Sequence, residues 1–334
     1  MVIIEVKKTK RLPGWLKQVS EIALILAGVL LMVFGPPEFS SDALKYEKLA
    51  ELNSGEAGFP GLGGQYPAQR LTRYRIGSKT GGGVEMNVAH YRDGQDKPAS
   101  AIVYSPALST LQGSGPIRHE LWEATAKAIL LHTGEDALFV TWWDDAQRIR
   151  FLTGRDSWID APVATAFPDN REKKFWQQAS GGFSSDGSKL KQLARWLATD
   201  ADLALAEMEK LIPKNQPAYF LTCLDDLARL GEIEALSGVK MPFEARYFPQ
   251  SANIHNQIAE VKRWAGENGS ASYLVQQLPA GGVRAWRITT EDGMKTLFAR
   301  LLPFTSSLAN PLPNQLLVYQ TGWGGYLSVY QWQR

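Results

Sequence analysis

The sequence predicts an α/β protein: a mixed, mostly parallel sheet flanked by helices, preceded by one N-terminal transmembrane helix. Three observations predict it. From Ile117 onward, helical and strand-like patterns alternate, the order that builds a sheet with helices on its faces. Near the start, the thirteen residues Ile22–Phe34 are apolar and carry no charge. Across its 334 residues the chain is 44% hydrophobic and 21% charged, an ordinary globular balance that excludes wholesale disorder. A protein crossing the membrane many times would show several long apolar runs, and this chain shows one.

Five basic residues and two acidic ones fall in residues 1–21, so of the 36 basic and 34 acidic residues 31 and 32 remain for the body. The net charge of +2 is therefore a property of the tail. A near-neutral body argues against nucleic acid as a partner, since phosphate neutralisation needs a basic face. A basic segment before an apolar run describes either an anchor or a secretory signal. The run ends in Gly35-Pro36-Pro37, with no small-x-small cleavage site, which favours an uncleaved anchor. A buried core helix is the third reading. It is disfavoured because the run is apolar all round. Trp15 serves as an interfacial anchor, with Lys17 and Glu21 near the membrane surface. The positive-inside rule then places residues 1–21 in the cytoplasm as a basic tail and membrane flank. Residues 22–35 form the anchor core, 36–67 a connector and 68–334 an α/β domain outside the inner membrane, in the periplasm.

The connector contains one helical pattern, Asp42–Leu52, and then the stretch GEAGFPGLGGQYP. Its glycines neither follow a strand nor open a helix with G-K-[ST], so they form a surface loop and not a phosphate cradle. Arg70–Ile76, Val84–Tyr91 and Ala99–Tyr104 read as strands separated by glycine turns. Ile117–Leu131 has helical spacing, Asp136–Trp143 is a short apolar strand, and Asp145–Leu152 is a helix. Three helical patterns, Arg171–Ala179, Ser188–Leu197 and Ala201–Leu211, suggest a helical insertion over 170–213. The strand Ala218–Cys223, the helix Leu224–Leu236, the strand Phe243–Phe248 and the helix Ile254–Gly266 follow. Tyr273–Leu278 with Val283–Ile288, and Leu316–Gln320 with Tyr326–Trp332, flank glycine-rich turns and read as hairpins. Met294–Leu302 reads as a helix between them.

The segment richest in chemistry is VTWWDDAQRIRFLTGRDSWID, Val140–Asp160. It puts Trp142, Trp143, Asp144 and Asp145 at the carboxyl end of a strand, where ligands bind in open α/β sheets. Arg148 lies one helical turn beyond the acidic pair. Arg155, Trp158 and Asp160 add a second charged and aromatic group. Exposed Trp and Arg suit partner binding, whereas buried ones fill the core and form local ion pairs. Asp225 and Asp226 also follow a strand and suit either a carboxylate pair or helix capping with an Asp225–Arg229 ion pair. No catalytic motif emerges. The four histidines form no dense ligand pattern, and a metal site would need distant residues to converge. The single cysteine, Cys223, excludes an internal disulfide and the C-x-x-C-H attachment of a covalent c-type haem; noncovalent haem or quinone stays open.

Together, the basic tail, the single anchor, the body segment ALFVTWWDDAQRIRFLTGRDSWID and the C-terminal GWGGYLSVYQW resemble the HaoB family. Those proteins are associated with hydroxylamine oxidation in ammonia- and methane-oxidising bacteria. The resemblance implies a membrane-anchored accessory protein working beside a multihaem hydroxylamine oxidoreductase, and it supplies no catalytic residues. More distantly, Trp142-Trp143-Asp144 followed by Gly154-Arg155 and Asp160 resembles the W-W-D-Y-G region of oligosaccharyltransferase catalytic subunits. Here Asp145 and Ala146 replace the Tyr and Gly, and the many membrane helices of those enzymes are missing. That resemblance implies at most a peptide- or glycan-binding module or weak transferase. The anchor reading has a direct check: N-terminal sequencing of membrane-extracted protein should begin at or near residue 1, and a mature start near residues 35–40 in a soluble fraction would refute it.

Overall fold

The computed structural model describes residues 45–77, 83–104, 115–251, 253–267, 271–277, 282–322 and 325–334. The chain divides into two units, one comprising residues 1–45 and 78–81 and the other the remainder; the fold below is that of the second. The apolar run Ile22–Phe34 lies outside the described residues, and among those described no helix is long and apolar enough to cross a membrane.

Three sheets form the body. The first contains β1 (Lys45–Asn53), β2 (Ala68–Gly77), β3 (Gly83–Arg92) and β4 (Pro98–Val103) in sequential order. After it come α1 (Gly115–His132), β5 (Leu138–Val140), α2 (Trp143–Thr153) and β6 (Asp156–Ser157). The helices α3 (Asn170–Ala179), α4 (Ser188–Leu197) and α5 (Ala201–Leu211) then lead to β7 (Ala218–Cys223). A 3-10 turn, Leu224–Arg229, continues into α6 (Leu230–Ser237). The second sheet has the order β8 (Phe243–Phe248), β10 (Val283–Ile288), β9 (Tyr273–Gln277), with α7 (Ile254–Gly266) between β8 and β9 in sequence. Three short helices, α8 (Glu291–Lys295), α9 (Leu297–Leu301) and α10 (Thr305–Ala309), precede β11 (Gln315–Gln320) and β12 (Leu327–Trp332). The third sheet orders its strands β11-β12-β7-β5-β6.

The α/β class and a mixed sheet are present, but the sheets are not mostly parallel. Among the pairings described residue by residue, β5–β6 and β5–β7 run parallel. The β2–β3, β3–β4, β8–β10, β9–β10, β11–β12 and β7–β12 pairings are antiparallel. The reason lies in the turns: hairpin-linked strands pair antiparallel with their sequence neighbours, and these outnumber the strands reached by helical crossover. The long helical stretch between β6 and β7 is the crossover that returns the chain to pair parallel with β5.

Two local expectations also change. Over the described part of Asp42–Leu52 the expected helix does not form, although Tyr46, Leu49 and Leu52 recur every three residues. Instead, Lys45–Asn53 is the outermost strand of the first sheet. Pairing with β2 outweighs this weak helical spacing, and Tyr46 stacks on Phe175 with ring centroids 4.4 Å apart. The expected helix Met294–Leu302 is divided at Thr296, which takes an extended conformation and caps α9 by accepting from Ala299 N.

The third sheet organises the core. Its central strands are buried on both faces, and alternate side chains enter different clusters. Leu138, Val140, Ala218 and Phe220 pack with the tryptophan-rich helices on one face. Phe139, Tyr219, Leu221 and Cys223 pack on the other with Trp122 and Ile129 of α1, Leu71 of β2 and Ala89 of β3. The second sheet closes over a smaller cluster around Trp264, Phe248 and Val283. The glycine-rich connector lies against this body: Gln65 N donates to Phe151 O at 2.8 Å. A Cβ on Gly64 would stand 2.4 Å from the Phe151 ring. Because that ring is fully buried, Gly64→Ala should destabilise the fold by about 1–3 kcal/mol, the usual range for overpacking. Chemical denaturation checks this; an unchanged midpoint would show that the connector shifts freely.

Candidate functional site

The strands β5 and β7 are short and apolar, and each runs straight into an acidic pair that opens a helical turn. Because they pair in parallel, with Val140 opposite Phe220, both acidic pairs emerge at the same end of the sheet. Asp144 and Asp145 occupy the first turn of α2, where the helix dipole favours negative charge. Asp226 lies in the 3-10 turn after β7 and accepts from Cys223 N at 2.9 Å, while Cys223 Sγ accepts from Asp225 N at 3.4 Å. This reciprocal cap fixes the Asp226 carboxyl group.

The structure thus brings together residues 81 and 82 positions apart in the chain. A carboxylate oxygen from each of Asp144, Asp145 and Asp226 lies within 4.8 Å of one from each of the others. All three residues are buried. Two arginines are drawn into the group. Arg148 pairs with Asp145 one turn earlier on α2 and donates through Nε to Ile102 O at 2.9 Å. Its guanidinium lies 4.4 Å from the centre of the Trp122 ring and 5.1 Å from that of Tyr104. Arg229 bonds Asp144 at 2.7 Å and Glu232 at 2.9 Å, and its guanidinium lies 5.2 and 5.0 Å from the ring centres of Trp143 and Trp176. Such desolvated cation–ring contacts are worth up to about 2 kcal/mol each. Glu232 also accepts from both neighbouring indoles, Trp142 Nε1 at 3.2 Å and Trp143 Nε1 at 2.8 Å.

The electrostatics divide the three carboxyls. Burial opposes ionisation of Asp144, but Arg229 and Arg148 outweigh it and hold its pKa below the usual carboxylate value. Burial pushes Asp145 up to about 7, reinforced by the charges of Asp144 and Asp225 and only partly opposed by Arg148. Asp226 is pushed well above the carboxylate range by burial and then by Asp145, without an ion pair among the described residues. Beside them Asp225 takes a separate course. It pairs with Arg118 at 3.2 Å and accepts from the Tyr326 hydroxyl, so the expected Asp225–Arg229 pair is replaced by Arg118–Asp225 and Arg229–Asp144. The buried thiol of Cys223 is raised well above its ordinary pKa, by burial first and the acidic neighbours second.

Five of the eight candidate residues, Trp142, Trp143, Asp144, Asp145 and Arg148, therefore belong to one buried cluster. A docking surface requires side-chain exposure, and Trp143 is 0% exposed and Trp142 3%. Their ring faces are not open to a partner or a peptide. The other three lie in different surroundings. Arg155 is also buried and bonds Thr133 at the end of α1, through the carbonyl oxygen at 3.1 Å and Oγ1 at 3.3 Å. Trp158 is half-buried and stacks on Trp196 at 4.8 Å. Asp160 is exposed and contributes its backbone carbonyl to Gln147. Sequence reasoning named Asp226 and Arg229 but not as companions of Asp144 and Asp145, and it missed Glu232 and Trp176. The readable signal was the twice-repeated pattern of an apolar strand followed by Asp-Asp within two residues of its end or shortly beyond; its pairing needed the strand order.

A family model described as HaoA-associated protein HaoB matches residues 15–332. The chain belongs to that family. The match spans the whole buried cluster of this HaoB-family chain. The comparison with curated proteins finds no match. Among solved structures, the chain is similar to the C-terminal domain of C. jejuni PglB, with 13% identity and a TM-score of 0.38 over 64% of this chain and 99% of that one.

The ion network makes a sharp stability prediction. Arg229→Met would leave Asp144 and Glu232 partly or fully buried without their shared cation, and breaking such a pair typically costs about 3–5 kcal/mol. Urea unfolding of this variant should show a loss of that order, whereas Asp160→Asn at the exposed position should leave the midpoint unmoved. Equal midpoints for the two variants would mean that water reaches the cluster.

Proposed function

We propose that this chain is a membrane-anchored accessory protein of hydroxylamine oxidation, with its body in the periplasm, where it associates with the multihaem hydroxylamine oxidoreductase HaoA. The observation that carries the reading is the HaoB family match over residues 15–332. The basic tail and apolar run supply an anchor with its flank in the cytoplasm. With a single cysteine the chain has no means of attaching a c-type haem covalently, so the covalent haem chemistry of the pair belongs to the oxidoreductase. The buried cluster supports an accessory role in a specific way. Its arginines are consumed by carboxylates and ring faces, which suits holding a body in one conformation better than turning over a substrate. Contact with the oxidoreductase then falls on surfaces other than the Trp142–Arg148 segment.

Membrane fractionation and affinity capture with the full chain test this. The chain should sediment with the inner membrane, retain hydroxylamine oxidoreductase on capture, and show no hydroxylamine oxidation by itself. Recovery in the soluble fraction without the oxidoreductase, or turnover by the isolated chain, would overturn the accessory reading.

A further inference from the structure

The same strand ends carry an imbalance of charge that the accessory role does not explain. Around them stand five carboxyl groups, Asp144, Asp145, Asp225, Asp226 and Glu232, against three guanidiniums, Arg118, Arg148 and Arg229. If all are ionised, two negative charges are uncompensated. One of the two lies at Asp226, which is 6% exposed and has no ion pair among the described residues, and the other between Asp144 and Glu232, which share Arg229. A buried carboxylate without a partner is strongly unfavourable. Either protons or a cation must complete the group.

Several features favour a cation. Oxygens bound to one calcium ion at about 2.3–2.6 Å stand at most about 5 Å apart, and the three aspartates offer oxygens within 4.8 Å of one another. Each aspartate is also held in place through one contact. Arg229 holds Asp144, Arg148 holds Asp145, and the Cys223 amide holds Asp226. Fixing the ligands through such outer contacts is how metal sites orient their carboxylates. Asp144 Oδ1 and Asp145 Oδ2 are then left buried and without hydrogen-bond partners. An independent sign comes from a residue outside the acidic group. Thr141 is 4% exposed, and its Oγ1 also has no partner. With Thr222 and Asp226 it forms the polar part of an otherwise apolar cavity of about 20 Å³, which adjoins the cluster on its Asp226 side and is not lined by Asp144 or Asp145. That space admits a water-sized occupant, next to a hydroxyl without a hydrogen-bond partner and a carboxyl group without an ion pair among the described residues.

We propose that Asp144, Asp145 and Asp226 hold one divalent cation at the joined ends of β5 and β7. The donor set is oxygen only, which selects a hard ion of the calcium, magnesium or manganese type over zinc or copper. Bound there, one divalent charge cancels the excess of two, and it ties the first turn of α2 to the turn after β7. The site is structural in character: the ion would lie within the body, flanked by Arg148 and Arg229, and would fix the strand ends relative to one another.

The test uses the full chain, stripped with a chelator and titrated separately with Ca²⁺ and Mn²⁺ by calorimetry. One ion should bind per chain, and the melting temperature should rise with it. Asp226→Asn keeps an oxygen to accept from the Cys223 amide but removes the charge, so it should weaken binding by about tenfold or more. The unmodified protein gives a second readout independent of any variant. Tb³⁺, a calcium surrogate, should show emission on indole excitation because Trp142 and Trp143 adjoin the site, and Ca²⁺ should quench it by displacement. Absence of binding at millimolar Ca²⁺ and Mn²⁺ would overturn the proposal and leave protons as the balancing charge. Binding undiminished in a folded Asp226→Asn variant, or Tb³⁺ binding without indole-sensitised emission, would overturn it equally. None of these results depends on whether the chain associates with an oxidoreductase.

Discussion

Three carboxyl groups withdrawn from water at the ends of two adjacent strands govern the arrangement around them. A buried carboxylate must be neutralised, paired or bound to a cation, and each way of doing so recruits another part of the chain. Asp145 draws Arg148 inward, and Arg148 in turn needs ring faces and a carbonyl, supplied by Trp122 and Tyr104 and by Ile102 of β4. Asp144 draws Arg229, whose guanidinium packs on both Trp143 and Trp176 and reaches Glu232. Glu232 closes the circuit by accepting from both indoles that precede Asp144. One electrostatic requirement therefore ties the first sheet, α1, α2, α3 and α6 to the end of the third sheet.

Burying ion pairs is a poor route to stability, since well-packed apolar side chains of similar volume often do as well or better. Its established benefit in some proteins is selection of one arrangement among several of similar energy. The apolar parts of this body offer many such alternatives. Trp143, Trp176, Phe167 and Phe175 pack in one aromatic cluster, and aromatic side chains tolerate both stacked and edge-on contacts. The directional bonds of Arg148, Arg229 and Glu232 remove that freedom. A body held in one arrangement suits an accessory protein that presents a fixed surface, and the HaoB family membership fits an accessory role.

How much of this was legible in the sequence depended on whether the signal was local. The strands Ala218–Cys223 and Phe243–Phe248, and the helices Ser188–Leu197, Ala201–Leu211 and Ile254–Gly266, lie at the expected boundaries. In each, side-chain period and end signals agree within a few residues. The edge strand Lys45–Asn53 was missed because Tyr46, Leu49 and Leu52 imitate helical spacing, and because an edge strand buries too little to display a period of two. The parallel character of the sheet was overstated because alternation of elements does not reveal which strands are joined by hairpins. The candidate site was half legible. Asp144, Asp145 and Arg148 are neighbours on one helix, and their association follows from spacing alone. The joining of this group to Asp226, Arg229 and Glu232 depends on β5 lying beside β7, a pairing made across about 80 residues and recorded in no local pattern.

The tryptophans show why composition alone misdirects. Trp142 and Trp143 beside two aspartates and an arginine look like an exposed recognition patch, since Trp and Arg dominate binding hot spots. The same residue types are what a buried ion cluster requires. An arginine leaving water needs flat, polarisable faces as well as carboxylates, and indoles provide both a face for the guanidinium and an N–H for the remaining carboxylate oxygen. Here the Trp143 face turns toward Arg229 and both N–H groups toward Glu232. What distinguishes the two uses is the number of bonding groups already satisfied within the chain. A recognition patch keeps donors and faces free for its partner, whereas both indole N–H groups here are spent inside the fold. The unspent capacity lies instead on the acidic side, at Asp144 Oδ1 and Asp145 Oδ2, and unmatched acceptors in a closed space call for something positively charged and small.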